Sequence, residues 1–224
     1  MEHYRHEWKH ELNYADLLAI RSRLRSVMMP DPHAVNGAYH IRSLYFDNLY
    51  DKALREKIDG VNMREKFRIR YYNHDPSLIH LEKKSKVSGL GTKYSTVITK
   101  ENAQRIVNGE IDWMADSEQS LIKELYLKMR YQGMAPKTIV DYTREPFIYG
   151  PGNVRVTFDY DIRTGLRSTD FLNPDCVTIP AADAGIILEV KWDEYLPSII
   201  RDCVMEPGRR VTAFSKYAQC RMYD

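Results

Sequence analysis

The sequence lacks the features that mark secreted, membrane-spanning and classical nucleotide-loop proteins. Its three cysteines lie far apart and have no metal-ligand spacing, which favours reduced thiols and a cytoplasmic location over a disulfide framework. It has no apolar run of about 18 residues, so no membrane span is encoded, and its N-terminus has no apolar signal-peptide core. Neither a Walker-type glycine-rich loop nor a Rossmann fingerprint occurs.

The composition is that of a folded protein with little overall charge. The 224 residues are 43% hydrophobic and 29% charged, and no repeat, linker or low-complexity segment divides them, so we expect one domain over residues 1–224. The formal net charge is only +2. A strong positive field must therefore come from local clustering of cations, and the chain as a whole is not a general nucleic-acid binder.

Cations do cluster, in the segment 64–93. An alternation with a period of two predicts a strand, a turn at 73–76, a second alternating strand, a turn at Gly89-Leu90-Gly91 and a third strand from Lys93 to Lys100. Short strands joined by tight turns are typical of an antiparallel meander. One face of the first two strands would carry Arg64, Lys66, Arg68, Arg70, His80, Glu82, Lys84 and Lys86.

This basic face has two interpretations. A solvated sheet face is the common one. However, cations placed side by side repel each other, and few acidic partners accompany them. Arginine offers planar, bidentate contacts to phosphate oxygens, and lysine acts as a point charge. The pattern favours phosphate binding over a solvated face.

The same polar-and-apolar alternation recurs along the rest of the chain. Further strands are predicted at 4–10, Tyr39–Asp47, Thr138–Tyr149, Val154–Ile162 and Ala184–Trp192. Helices are predicted at Tyr14–Val27, Tyr50–Ile58 and Glu101–Asn108, in a segment capped by Ser117, and at Leu196–Val204 and Phe214–Tyr223. The economical arrangement is an α+β fold: a closed antiparallel eight-stranded β-barrel with a polar, charged lumen, flanked by helices.

A dry lumen lined by cations and carboxylates would be strongly destabilising. Water, an anionic chain and a divalent cation would make it tolerable. The cations would bind phosphoryl oxygens, and the carboxylates would bind a hard metal such as Mg²⁺ or Mn²⁺.

Several motifs occur together in a specific order. They are Glu7-x-Lys9, Arg68-Ile-Arg70-Tyr71-Tyr72, Glu82-Lys83-Lys84-Ser85-Lys86, Tyr142-Thr143-Arg144-Glu145-Pro146-Phe147, Arg155 with Asp159, and Glu189-Val190-Lys191. This ordered set resembles the triphosphate tunnel metalloenzymes, and within them the VTC-type polyphosphate polymerase domain. Arg5 stands where the CYTH branch has a first glutamate, which counts against adenylate cyclase or thiamine-triphosphatase activity of the CYTH type.

The resemblance implies roles for individual residues. The phosphate-holding catalytic cations would be Lys9, Arg68, Arg70, Lys84, Arg144 and Arg155. Further substrate-binding lysines would be Lys93, Lys191 and Lys216. Glu189 would be the principal ligand of Mn²⁺ or Mg²⁺, with Glu7, Glu82 and Asp159 as further candidates. The implied activity is transfer of the γ-phosphoryl group of ATP onto a polyphosphate chain.

Other interpretations stay open. Glu7, Glu189 and Asp159 could be ordinary salt-bridge partners, and Lys191 could point to solvent. A hydrolase of tripolyphosphate or nucleoside triphosphate is an alternative function, as is a non-catalytic module that binds polyphosphate or another anionic polymer such as RNA. The expected ligands are ATP and polyphosphate or triphosphate, with no nucleic acid. A separate membrane partner is compatible with the sequence, which does not reveal the oligomeric state.

Overall fold

The computed structural model describes residues 5–88, 90–181, 185–206, 208 and 211–222, and it has the predicted α+β class. Three predicted elements and one predicted turn each include a residue outside these ranges. These residues are Tyr4, Gly89, Ala184 and Tyr223. The strands are β1 (His6–Leu12), β2 (Met29–Pro30), β3 (Tyr39–Asp47), β4 (Met63–Tyr72), β5 (Asp75–Val87), β6 (Leu90–Ile98), β7 (Ala135–Tyr149), β8 (Val154–Thr164), β9 (Ile179–Pro180) and β10 (Ile186–Trp192). The helices are α1 (Tyr14–Val27), α2 (Lys52–Ile58), α3 (Lys100–Asn108), α4 (Ser120–Gln132), α5 (Ser198–Val204) and α6 (Lys216–Cys220), with 3₁₀ turns at Asp112–Asp116 and Pro151–Asn153.

The strands form one sheet whose main path has the predicted eight strands. Their order is β1-β10-β8-β7-β3-β4-β5-β6, with β2 on β7 and β9 on β8. The predicted closure into a barrel is wrong for the described part of the chain, where the sheet is open and β1 and β6 are its ends. The outer edge of β1 is occupied by other backbone, because the Thr212 N–H donates to the Lys9 carbonyl at 2.8 Å and Val211 forms an isolated bridge with His10.

The chain divides into two compact units. The first contains residues 1–40, 142–162 and 183–214. Its core joins the apolar sides of α1 and α5 to the alternate residues of β8 and β10, including Ile20, Val156 and Val190, all fully buried. Burial of these apolar side chains is the main favourable contribution to the stability of this unit.

The second unit contains residues 41–141, 163–182 and 215–224. Its strands β4, β5 and β6 form the predicted antiparallel meander, although β6 already begins at Leu90. β3 pairs antiparallel with β4. Phe67 and Ile69 on β4 pack with residues of α3 and α4, which cover this face of the meander. The opposite face carries the cations, so the alternation read from the sequence is confirmed.

Helix ends follow local capping chemistry. The Asn13 side chain accepts from the Asp16 N–H at 2.9 Å, and the Asp16 carboxylate accepts from the Asn13 N–H at 3.0 Å, so the predicted start of α1 is confirmed with a complete capping box. The assignment of Ser117 as a helix cap is wrong. Ser117 ends the preceding 3₁₀ turn, and α4 begins at Ser120.

No helix among the described residues combines the length and the apolar character needed to cross a membrane.

Candidate functional site

One face of β4, β5 and β6, in the second unit, is strongly basic. The strand register places Lys84 opposite Lys66 on one side and opposite Lys93 on the other, so three lysines form a row across the sheet. Like charges directly opposite each other destabilise a sheet unless an anion separates them. Seven cations share this face with a single carboxylate, Glu82; they are Arg64, Lys66, Arg68, Arg70, Lys84, Lys86 and Lys93.

Two of these cations are buried rather than solvated. Arg68 and Arg70 are only 7% and 3% exposed. Arg68 donates from Nε to Glu82 Oε2 at 2.7 Å, and its Nη2 lies 2.6 Å from the same oxygen. The interpretation of this face as a solvated surface therefore fails for its central residues.

Glu82 is the organising anion of this group. Its Oε1 lies 2.5 Å from Lys93 Nζ, and its Oε2 lies 4.0 Å from Arg70 Nη1. Burial alone would raise the pKa of Glu82, but Arg68, Arg70 and Lys93 outweigh burial and lower that pKa below its ordinary value. We call Arg68, Arg70, Glu82 and Lys93 the Glu82 cluster; it holds three predicted phosphate ligands around one ionised carboxylate.

A second ionic group lies in the first unit, on β1, β7, β8 and β10. Arg144 donates to both oxygens of Asp159, at 2.6 and 2.7 Å, and to Glu189 Oε2 at 3.2 Å. Lys191 Nζ lies 2.8 Å from Glu189 Oε1, and Lys9 Nζ lies 2.7 Å from Glu7 Oε1. We call these six residues, Glu7, Lys9, Arg144, Asp159, Glu189 and Lys191, the Glu189 cluster.

Every member of the Glu189 cluster is a residue predicted for the site. Burial opposes ionisation of Glu189, but the charges of Lys191, Lys9 and Arg144 lower its pKa well below the ordinary value. The pKa of Lys9 is raised despite its burial, because Glu189 and Glu7 stabilise the ammonium form. Glu189 and Lys9 therefore stabilise each other in their charged forms. The pairing of Lys191 with Glu189 disfavours the alternative that Lys191 points only to solvent.

Arg155 lies apart from these contacts in the first unit. Its Nη2 donates to Asp31 Oδ2 at 2.7 Å and also to the Tyr39 hydroxyl. Asp31 additionally accepts from the backbone N–H of His33 and lies 2.9 Å from its ring nitrogen. Burial would raise the pKa of Asp31, but these hydrogen bonds and Arg155 lower it.

The two remaining predicted ligands are lysines of the second unit. Lys84 is half-buried in the lysine row of β5. Lys216 is the first residue of α6, whose N-cap Ser215 accepts from the Ala218 N–H. The roles of all these residues in binding or catalysis stay predictions.

The carboxylates offer a limited donor set for a metal. Among the residues that the structure describes, no group of three His, Cys, Asp or Glu side chains is placed to hold a metal ion. Glu7 and Glu189 lie on the neighbouring strands β1 and β10, and Lys9 interacts with both carboxyl groups. Mg²⁺ typically keeps several waters and binds one or two carboxylates together with substrate phosphates, so the pair Glu7 and Glu189 fits such an ion. Both oxygens of Asp159 and of Glu82 already contact cations. The same holds for Glu189, which contacts Arg144 and Lys191, so a metal ion at any of these three carboxylates would compete with a cation.

Sequence reasoning missed the neutral and acidic partners of the predicted cations. Ser43 and Tyr45 on β3 hydrogen bond to Arg70 and Arg68, and Asp31 pairs with Arg155. The signal that could have found the first two is the alternation of β3, which places Ser43 and Tyr45 on the same face. Asp31 lies in a short segment between prolines and gave no comparable signal.

The fold has known counterparts among solved structures. One is HpAC1 from Hippeastrum, a candidate adenylyl cyclase described as having a dominant triphosphatase activity, at a TM-score of 0.57 and 13% identity over 97% of this chain and 94% of that chain. Another is a candidate adenylate cyclase from Bacillus halodurans, at a TM-score of 0.52 and 11% identity over 85% and 81%. At these identities the similarity shows a shared fold.

The family follows from the sequence itself. The model of the VTC domain matches residues 4–223, and the chain therefore belongs to the VTC domain family. The resemblance drawn from the ordered motifs is confirmed. No curated protein matches the chain.

Proposed function

We propose that this protein catalyses metal-dependent phosphoryl transfer, namely elongation of polyphosphate with the γ-phosphoryl group of ATP. The observation that carries the proposal is the basic face of β4–β6, where seven cations accompany one carboxylate and two arginines are buried. Phosphoryl transfer needs little covalent chemistry from a protein, because positioning and charge neutralisation supply most of the catalysis. Membership of the VTC domain family supports the same conclusion.

The arginines and lysines would have different roles, because their side chains bind phosphate differently. Arg68 and Arg70 would bind phosphoryl oxygens with planar guanidinium groups, and Lys84 and Lys93 would neutralise neighbouring phosphates. In the Glu189 cluster, Lys9 and Arg144 would bind phosphoryl groups. No residue needs to become covalently phosphorylated, because the terminal phosphate of the acceptor is the nucleophile. Its oxygen forms the new bond to the γ-phosphorus, and the bond from that phosphorus to the bridging oxygen of ADP breaks.

Glu189 and Glu7 would hold Mn²⁺ or Mg²⁺. The bound ion would neutralise charge on the phosphoryl oxygens that it contacts. Ionisation of Glu189 is already ensured by its three cationic neighbours, so metal binding would require no proton release from this residue.

The direct test incubates the purified protein with ATP and Mn²⁺ or Mg²⁺ and follows ADP release and polymer length. We expect long polymer and stoichiometric ADP, and we expect Glu189→Gln and Arg68→Ala to abolish both. Lys83→Gln is the matched control. Lys83 directly follows Glu82 but points to the opposite face, where it pairs with Glu65 and Glu124. Absence of turnover with either metal, in folded protein, would contradict the proposal.

Hydrolysis is the second candidate, because the HpAC1 fold supports a triphosphatase activity. The two reactions differ only in whether water or a phosphate attacks the terminal phosphorus. Product analysis distinguishes them, since a hydrolase gives orthophosphate and no polymer. Tight tripolyphosphate binding without turnover would instead identify a binding module.

A further inference from the structure

The proposed function gives no role to the polar face of β3. It carries Ser43, Tyr45 and Asp47, all three of which are buried. Buried polar side chains are costly unless they are hydrogen-bonded. Each of the three has a specific partner in the second unit, and two of those partners are predicted phosphate ligands.

The hydroxyl groups of β3 meet the arginines of β4 across the strand pair. Ser43 is the register partner of Arg70, and Tyr45 is the register partner of Arg68. Arg70 Nε donates to Ser43 Oγ at 2.9 Å, and Arg68 Nη1 donates to Tyr45 Oη at 2.7 Å. Each guanidinium is therefore fixed through a side-chain oxygen of β3 as well as by the charge of Glu82.

Tyr45 is itself rigidly held. Its ring stacks on Tyr217 of α6, with centroids 5.0 Å apart and an interplanar angle of 23°. The Tyr217 hydroxyl donates to Asp47 Oδ2 at 2.7 Å, and Arg221 donates to the same hydroxyl at 2.9 Å. An acceptor that cannot rotate away restricts the orientation of its donor, which is how supporting residues preorganise a binding group.

We propose that Ser43 and Tyr45 are positioning residues, which fix the guanidinium groups of Arg70 and Arg68 in the orientation that binds a phosphoryl group. The inference rests on the proposed function, because it assigns a role to two of its predicted ligands. The hydroxyls touch the arginines and need no contact with substrate. The cations in turn act on the phenol: burial would raise the pKa of Tyr45, but Arg68, Lys66 and Arg70 lower it to about 7.

The test compares Tyr45→Phe and Ser43→Ala with Tyr71→Phe. Tyr71→Phe also removes a buried hydroxyl. In the wild type this hydroxyl donates to the Phe171 carbonyl at 3.1 Å, on the opposite face of β4. We expect each of the first two variants to weaken tripolyphosphate binding by roughly three- to tenfold, the effect of one lost hydrogen bond. Tyr71→Phe should lower stability by a similar amount and leave the affinity unchanged.

A second measurement is independent of substrate. We expect the side-chain NMR order parameter of Arg68 Nε–H to fall in Tyr45→Phe and that of Arg70 to fall in Ser43→Ala, with neither changing in Tyr71→Phe. Unchanged order parameters would overturn the inference, as would an affinity loss equal to that of Tyr71→Phe. If the wild-type protein failed to bind tripolyphosphate, the proposed function would fall, and the order parameters would still decide whether these hydroxyls position the arginines.

Discussion

At the scale of residues, several charged side chains are buried, where the loss of hydration is unfavourable. Arg68, Arg70 and Glu82 are all buried, as are Asp159 and Glu189. Each lies beside an opposite charge, and buried ion pairs add little net stability compared with well-packed apolar residues. Their abundance is therefore consistent with the proposed role in phosphate binding.

The shifted pKa of Tyr45 makes the stability of the protein depend on pH. Its pKa is about 7 in the folded protein, below the value of 10.0 of an ordinary tyrosine, so the folded state releases the proton first. Between about pH 7 and pH 10 the unfolded state binds more protons, and stability rises with pH through this window. Below about pH 7 the contribution is lost.

The measurement is the free energy of unfolding of wild type and Tyr45→Phe across this pH range. We expect the difference between them to shift in favour of the wild type as the pH rises, together with a tyrosinate absorbance change near pH 7 that is larger in the wild type by one tyrosine. A difference that is independent of pH would contradict the assignment.

Asp31 makes a second prediction at this scale. Its Oδ2 accepts a hydrogen bond from Arg155 Nη2 at 2.7 Å, so Arg155 already has an anionic partner within the protein. If Arg155 binds phosphate, Asp31→Asn should raise the affinity for tripolyphosphate by up to about fivefold, the range expected for a partly exposed ion pair. The control is Asp193→Asn, which removes the partner of Arg5, a residue outside the predicted site. An unchanged or weaker affinity for Asp31→Asn would argue against Arg155 as a ligand.

The cations of the site could be predicted from the sequence, but their hydrogen-bonding partners could not. Arg68 and Arg70 could be predicted because alternating charge on a strand is visible locally. Their hydroxyl partners come from β3, at least 23 residues away, and a serine or tyrosine on a strand carries no charge to reveal its role. Nonlocal pairing, rather than residue type, decided these contacts.

At the scale of elements, local patterns predicted most of the structure. The bounds of α1 and β3 were predicted to the residue, because a capping box and a regular alternation fix them. Barrel closure was beyond such reasoning. Alternation assigns the faces of a strand but not which edges meet, and the outer edge of β1 pairs with residues 211–212.

The cap of α1 is a testable element-scale feature. Asn13→Ala removes the side-chain acceptor of the Asp16 N–H, and we expect it to lower the free energy of unfolding by about 1 kcal/mol. Ser22→Ala changes an exposed interior position of the same helix and should have little effect. Denaturant unfolding of both variants measures the difference. Equal stabilities would show that the cap contributes nothing to the start of α1.

At the scale of the whole molecule, the formal net charge of +2 gives no reason to bind polyanions. The proposed function therefore requires that affinity come from local fields, such as that of the β4–β6 face, and not from total charge. These two sources respond differently to substitution. A local field depends on where a cation lies, whereas net charge changes equally for any cation that is removed.

Arg68→Gln and Lys123→Gln separate the two, because each lowers the net charge by one. Arg68 lies in the Glu82 cluster, and Lys123 is an exposed residue of α4. Salt screens exposed charges over roughly 10 Å at 0.1 M, so wild-type affinity for tripolyphosphate should fall as salt rises. We expect Arg68→Gln to reduce both the affinity and its dependence on salt, and Lys123→Gln to change neither. Isothermal titration at several salt concentrations measures both quantities, and equal effects of the two substitutions would mean that total charge, not the basic face, attracts the polyanion.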